Sequence, residues 1–89
     1  MQVRIEGIRE TQGNFEGKPF HSVKFHISEP FFEDNAVGRE VSVQSVKYER
    51  LPFVFNRPIE LSEVMSLVGQ TANFEYNKNK QLVRIKIDE

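Results

Sequence analysis

Apolar and polar residues alternate along two N-terminal stretches, and alternation with a period of two predicts β-strands. The first predicted strand is 2–10 and the second is 19–28. One face of the first strand carries Val3, Ile5 and Gly7, and the other carries Arg4, Glu6 and Ile8. In the second strand, Val23, Phe25 and Ile27 alternate with Lys24, His26 and Ser28. The glycine-containing segment between them, 11–20, is predicted to form a long hairpin tip or wing.

The middle of the chain predicts one more strand between two irregular segments. Residues 29–38 are rich in turn-forming residues and predict a loop. Residues 39–48 predict the third strand. Its apolar residues fall into two sets of opposite parity, Val41 with Val43 and Val46 with Tyr48. This change of parity predicts a β-bulge near Ser45. Residues 49–60 contain two prolines and are expected to be irregular.

A short helix is predicted at 61–69, where apolar residues recur at helical spacing. These residues are Leu61, Val64, Met65 and Val68. Ser62 is the expected N-cap, and Gly69 is the expected residue after the helix end. A helix of about two turns is too short to be stable alone, so it must pack on the rest of the domain.

Two last strands complete the predicted domain, at 71–76 and 82–88, and a turn at 77–80 joins them, where asparagine tolerates positive φ. Five short strands with one helix between the third and fourth is the element order of the OB-fold, a small, partly open barrel. The sequence therefore predicts a mainly β protein: a small OB-like five-stranded barrel with one short helix, forming a single domain over 1–89. An SH3-like barrel and a plain five-stranded sheet with a helix on top are the alternatives.

The composition is that of an ordinary small globular domain. The chain has 89 residues, of which 38% are hydrophobic and 28% are charged. It has no cysteine, which excludes disulfides, thiolate metal sites and a cysteine nucleophile and favours the cytoplasm. No apolar run approaches the roughly 18 residues that a membrane helix needs. The N-terminal residues also lack the apolar region of a signal peptide, so no membrane association is expected.

Residues suited to catalysis or metal binding are sparse. His21 and His26 lie five apart on one predicted strand, so they should point to opposite faces and not share a metal. Glu33 and Asp34 are adjacent in a loop that lacks the spacing of a calcium site. No glycine-rich phosphate loop and no nucleophile motif occurs. The prediction is a protein that is not an enzyme and uses no metal and no cofactor.

Basic residues interleaved with aromatic ones are the stronger signal. The formal net charge of −1 argues against binding nucleic acid through charge alone. Single-stranded nucleic acid also binds by stacking its bases on aromatic rings while cations follow its phosphates. The candidate nucleic-acid-binding residues are Arg4, Lys18, Phe20, His21, Lys24, His26, Arg39, Lys47, Tyr48 and Arg50. The acidic residues Glu6, Glu10 and Glu16 lie nearby and weaken this electrostatic argument.

The eight phenylalanines divide between core and surface. Phe25 and Phe74 have the parity of core residues on their strands. Phe53 and Phe55 are expected to plug one end of the barrel beneath the irregular segment. Phe20 shares the parity of the polar residues on its strand, so it is expected on the outer, binding face.

Two adjacent phenylalanines support a second interpretation. Phe31 and Phe32 cannot both point inward from an extended loop, and Glu33 and Asp34 follow them. Aromatic anchors dominate the energetics of protein interfaces. The alternative prediction is therefore a protein-binding module that docks on a host or mobile-element protein through these four residues, for example an inhibitor of a host defence nuclease.

The N-terminal third of the chain resembles a known family. A first strand, a glycine-containing wing that ends in Gly17-Lys18-Pro19-Phe20, and a second strand look like the gene V-type single-stranded DNA-binding proteins of filamentous phages. Residues 14–27 are also similar to small proteins of plasmids and integrative elements in Gram-positive bacteria. The resemblance implies an OB-like barrel, a homodimer and cooperative coating of single strands during replication, without catalysis or metal. By position it implies that Lys18 contacts phosphate and that Phe20 replaces the family's wing tyrosine.

The favoured prediction from the sequence is thus a cytoplasmic, non-enzymatic single-stranded DNA-binding protein of a phage, plasmid or integrative element. RNA is a second possible ligand of the same surface. The resemblance covers about 25 residues, while the helix at 61–69 and the loop at 29–38 depart from the family pattern.

Overall fold

Five antiparallel strands form one sheet in the computed structural model, which describes residues 2–88. The strands are β1 (Gln2–Phe15), β2 (Lys18–Pro30), β3 (Arg39–Lys47), β4 (Thr71–Tyr76) and β5 (Leu82–Ile87). Their order across the sheet is β3-β2-β1-β4-β5, which makes β3 and β5 the two edges. The predicted mainly β class is confirmed. Within residues 2–88 no ladder joins β3 to β5, so the sheet is not closed.

A β-bulge at Glu6 decides which residues of β1 face the core. The pairing of β1 with β2 shifts between Ile5 and Gly7, so Ile5 and Ile8 both face inward although they are three residues apart. Gly7 and Arg9 consequently lie on the side away from the core. The prediction that Gly7 shares a face with Ile5, opposite Ile8, is wrong for this reason.

The first hairpin is longer than the sequence predicts. β1 and β2 pair without interruption as far as Phe15 and Lys18, so 11–20 is mostly strand. Only Glu16 and Gly17 form the turn, with φ of 51° and 77°, as a two-residue type I′ turn requires. Residues 9–22 include no fully buried residue. The hairpin therefore extends beyond the core as a two-stranded segment, which we call the ribbon.

The substitution Glu16→Asn should stabilise the tip of the ribbon. Glutamate is unfavourable at positive φ because its Cβ crowds the backbone, whereas Asn-Gly is a preferred type I′ turn. We expect a local gain of up to about 1 kcal/mol, seen as slower amide hydrogen exchange at 15–18 with little change in the melting temperature. Glu16→Gln removes the charge but keeps the conformational cost. Equal exchange rates in the two variants would contradict this account.

Three short helical segments connect β3 to β4, where the sequence predicts one helix. They are a 3-10 turn (Tyr48–Arg50), α1 (Leu51–Phe55) and α2 (Leu61–Met65). α1 lies in the segment predicted to be irregular. Its Pro52 occupies the first turn, where the missing N–H costs nothing, and Asn56 ends the helix in the left-handed conformation.

The second helix begins with a capping box and ends earlier than predicted. α2 ends at Met65, and its N-cap is Glu60 rather than the predicted Ser62. The side chains of Glu60 and Glu63 cap each other's backbone N–H groups. Arg57 Nη1 donates to Glu63 Oε2 at 3.0 Å, and this bond, with the N–H of Glu60, holds the pKa of Glu63 below its usual value.

The core lies between the curved sheet and the two helices. The buried apolar residues are Val3, Ile5, Val23, Phe25, Ile27, Val46, Leu51, Val54, Val64, Ala72, Phe74, Leu82 and Ile85. The ring of Phe25 meets that of Phe74 edge to face, with centroids 5.9 Å apart. The centroid of the Phe55 ring lies 6.3 Å from that of Phe25. Phe55 packs against the core as predicted, but Phe53 is 73% exposed, so the prediction that both plug one end is wrong for Phe53.

The third strand is regular and has an apolar outer side. β3 pairs with β2 in one continuous register, so the predicted bulge near Ser45 does not occur. Val46 faces the core, while Val41 and Val43 point away from it and are exposed. The change of parity along β3 reflects this exposed face and not a bulge. None of the helices within residues 2–88 has the length and apolar character needed to cross a membrane.

Candidate nucleic-acid interface

The strand register gathers many of the predicted residues on one surface. This surface, which we call the outer face, is the side of β1, β2 and β3 that points away from the core. Its cross-strand pairs are Phe15–Lys18, Gly13–Phe20, Thr11–Ser22, Ser22–Lys47, Arg9–Lys24, Lys24–Ser45, Gly7–His26 and His26–Val43. The structure thus brings together Lys18, Phe20, Lys24, His26 and Lys47 of the predicted set.

Three cations occupy the centre of the outer face without an acidic partner within residues 2–88. Arg9 lies directly opposite Lys24 across β1 and β2. Lys24 pairs with Ser45 of β3, and Lys47 lies two residues beyond Ser45 on the same face. Like charges placed opposite each other destabilise a sheet. The hydroxyl groups of Ser22 and Ser45 lie between these cations and add hydrogen-bond donors. The arrangement costs stability in the free protein and suits an anionic ligand.

Phe20 lies flat against the ribbon beside these cations. It pairs with Gly13, and a Cβ placed on Gly13 would come within 3.0 Å of Cε1 and Cζ of the Phe20 ring. The absence of a side chain at Gly13 therefore lets the ring rest on the backbone. Phe20 is still 44% exposed, so one face of the ring is open to solvent. A partly fixed aromatic ring beside cations is the arrangement that base stacking uses.

The tip of the ribbon carries a second exposed ring that is missing from the predicted set. Phe15 pairs with Lys18 on the outer face and is exposed. A hairpin tip needs no aromatic residue for its turn, and Glu16 and Gly17 make the turn unaided. The signal in the sequence is the presence of Phe15 in a turn-rich segment.

The opposite end of the outer face is occupied by a hydrogen-bonded network. Arg39 donates to Ser28 through Nε (2.9 Å to Oγ) and Nη2 (3.0 Å to the carbonyl oxygen). Ser28 Oγ donates to Glu6 Oε1 at 2.7 Å, and Arg4 Nε lies 3.5 Å from the same oxygen. Ser28 is consequently buried although it points to the outer side. Arg39 therefore links β3 to β2 and, through Ser28 and Glu6, to β1, while Arg4 pairs with Glu6 within β1. Glu6 thus balances part of the charge of these two predicted binding residues.

His21 and Tyr48 lie on the other side of the ribbon from Phe20. Their rings stack with centroids 4.1 Å apart and an interplanar angle of 10°. Glu10 accepts a hydrogen bond from His21 Nε2 at 2.6 Å. The contact ties the base of the ribbon to the 3-10 turn. Both residues belong to the predicted set, but the structure gives them this bracing contact away from the outer face.

Sequence reasoning missed Arg9 because of the bulge in β1. With uninterrupted alternation Arg9 would share the side of the core residues Val3 and Ile5, whereas the bulge at Glu6 turns it outward. A glycine inside a strand, here Gly7, often marks a bulge and was the available signal.

The loop between β2 and β3 presents a separate apolar and acidic surface. Phe32 is 85% exposed, Phe31 is partly exposed, and Glu33 and Asp34 are exposed beside them. These are the four residues of the alternative prediction. Val37, further along the same loop, is also exposed.

The remaining findings concern the metal-ligating and titratable side chains within residues 2–88. No group of three or more potential metal-ligating side chains occurs in this range. His21 and His26 point to opposite faces, as their spacing predicts. Burial, aided by the charge of Glu29, raises the pKa of Tyr76, which packs against the core and lies outside the outer face.

We compared the chain with protein-family models, with curated proteins and with solved structures, and none of them matches it.

Proposed function

We propose that this chain is a non-enzymatic single-stranded DNA-binding protein built on an OB-like barrel. The observation that carries the proposal is a group of three cations, Arg9, Lys24 and Lys47, beside the exposed ring of Phe20 on the outer face. None of the three forms an ion pair with another of the described residues. The strand order supports the barrel, because β3 and β5 lie at the two ends of the order, as the partly open seam of an OB-fold requires. OB-folds bind oligonucleotides on the face formed by their second and third strands.

The geometry favours a single strand over a duplex. Single-stranded ligands bind through a basic track and aromatic rings on which successive bases stack, largely without regard to sequence. Lys18 and Phe15 extend this track along the ribbon, and His26 and Val43 continue it on the other side of the cations. A duplex keeps its bases stacked on each other and would leave Phe15 and Phe20 without partners.

Fluorescence anisotropy of a labelled, mixed-sequence single strand tests the proposal directly. The strand is titrated with protein at several salt concentrations, and a duplex of the same sequence is titrated in parallel. We expect tighter binding to the single strand and a salt slope of about 0.7 log units per neutralised phosphate. The paired substitution of Arg9 and Lys24 by glutamine should lower that slope by about 1.4. A strand that does not bind even at low salt would refute the proposal.

A second candidate function is a protein-binding module, and the exposed loop favours it. Phe32 and Val37 expose apolar side chains next to Glu33 and Asp34, a combination suited to an apolar partner with a basic rim. Substituting Phe31 and Phe32 by serine separates the two functions. This variant should bind single-stranded DNA like the wild type if the outer face is the site. Loss of DNA binding in a folded loop variant would count against the outer face.

A further inference from the structure

A cleft opens between the two edge strands of the sheet. It lies between the C-terminal end of β3 and the turn that joins β4 to β5, and its volume is about 450 Å³. Val54 and Leu82 form its floor, and both are buried core residues. Serine, glutamine and basic side chains form its walls. We call it the seam cleft.

The charges along the seam cleft have one sign. Lys47, Arg50 and Lys80 line it, and none of the carboxylates within residues 2–88 does. The residues that line the cleft also include Ser22, Ser45 and Gln81, which are uncharged and carry hydrogen-bond donors. A pocket that offers several cations and donors but no acid is complementary to a phosphate group.

The backbone at Lys80 is a second and independent observation. Lys80 has φ of 62°, the left-handed region that glycine and asparagine favour and lysine does not. The turn that holds it is firmly hydrogen-bonded, since Asn77 Oδ1 accepts from the N–H groups of Asn79 (2.9 Å) and Gln81 (3.0 Å). Asparagine would fit this position with less strain. Unfavourable backbone conformations cluster at functional sites, so the conformation of Lys80 supports a role for its side chain.

We propose that the seam cleft is a phosphate-binding subsite in which Lys80, with Lys47 and Arg50, holds one phosphate group. This inference rests on the proposed function, which supplies the phosphate as part of the backbone of a bound single strand. Lys47 and Ser22 belong to both the outer face and the cleft, so a strand on the outer face can continue into the cleft without a gap. The DNA would then cross the end of β3 and contact the turn between β4 and β5.

Lys80→Asn tests the subsite with little risk to the fold. Asparagine removes the charge and tolerates the left-handed conformation, so we expect an equal or higher melting temperature. The salt slope for single-stranded DNA should fall by about 0.7, which corresponds to about fivefold weaker binding at 0.1 M salt. Lys78→Asn is the matched control, because Lys78 lies in the same turn but does not line the cleft. Its slope and affinity should stay close to those of the wild type.

The outcomes separate the subsite from the proposed function. A loss confined to Lys80→Asn supports the subsite. Equal losses in both variants would indicate only a change in overall charge, and no loss in either would show that no phosphate is held there, so both results overturn it. If the wild type binds no single strand, the proposed function fails, and inorganic phosphate followed by amide NMR shifts decides the subsite. Shifts at 80–81 that disappear in Lys80→Asn would support a site for free phosphate, and their absence would overturn it.

Discussion

Replacing Phe20 by alanine should weaken single-strand binding by roughly 5- to 150-fold, and by a similar factor for every sequence. Stacking of a base on an aromatic ring contributes about 1–3 kcal/mol, and stacking does not read base identity. The ring of Phe20 rests on Gly13 with one face exposed, so it can stack without first losing much side-chain freedom. Anisotropy titrations with poly-pyrimidine and mixed-sequence strands measure both the loss and its uniformity.

Two companion variants make the result interpretable. Phe53→Ala removes an equally large exposed ring from α1, away from the outer face, and should leave the affinity unchanged. Gly13→Ala keeps the Phe20 ring but places a Cβ within 3.0 Å of it, so the ring must move, and we expect an intermediate loss. Wild-type affinity in a folded Phe20→Ala protein would remove this ring from the mechanism.

Replacing Phe25 by alanine should destabilise the protein by about 3–5 kcal/mol. Phe25 is completely buried and contacts two other rings, Phe74 and Phe55, so its loss leaves a cavity that a small core cannot easily collapse. A domain of this size has a free energy of unfolding of about 5–15 kcal/mol in general, so the variant is expected to lose a large share of its stability.

Urea denaturation followed by circular dichroism measures this change. Phe53→Ala serves again as the control, because an exposed side chain should change the unfolding free energy by no more than about 0.5 kcal/mol. A loss below about 1 kcal/mol in Phe25→Ala would mean that the aromatic cluster does not hold the sheet against the helices.

Strands with regular alternation could be predicted from the sequence. The bounds 71–76 for β4 agree with the structure, and so does the core position of Phe74. In β2 the core parity of Phe25 also placed Phe20 correctly on the outer side. These predictions succeed because one face of each strand is buried, so a shift by one residue would expose the whole apolar set.

Features that depend on a single residue's backbone could not be predicted. The bulge at Glu6 adds one residue to β1 and reverses the parity of Arg9, and Gly7 signals that a bulge can occur there without fixing its position. Pro52 is one reason why 49–60 is predicted to be irregular, yet it stands in the first turn of α1, where proline is favourable. The left-handed residue of the turn after β4 is Lys80 and not one of the asparagines that the sequence suggests.

The residues of the candidate site could be predicted only in part from the sequence. Lys24 and Lys47 follow from strand parity alone. Arg39 and Arg4 have the right parity too. The contact of Arg39 with Ser28 depends on the pairing of β3 with β2, and the contact of Arg4 with Glu6 on the bulge in β1, which the sequence does not reveal. The stacking of His21 on Tyr48 requires the 3-10 turn to fold back on the ribbon, a tertiary contact that the sequence does not show.

The ribbon separates two roles that usually fall on the same residues of a small domain: contact with other molecules and stabilisation of the fold. Residues 9–22 of the ribbon include no fully buried side chain, so substitutions there change the core little. The core residues, in turn, do not reach the tip of the ribbon. The tip of the ribbon can then open locally without global unfolding, while the stacked rings of His21 and Tyr48 hold its base in place. Evolution can therefore alter the length, charge and rings of the tip to suit new ligands while the rest of the fold remains under unchanged selection.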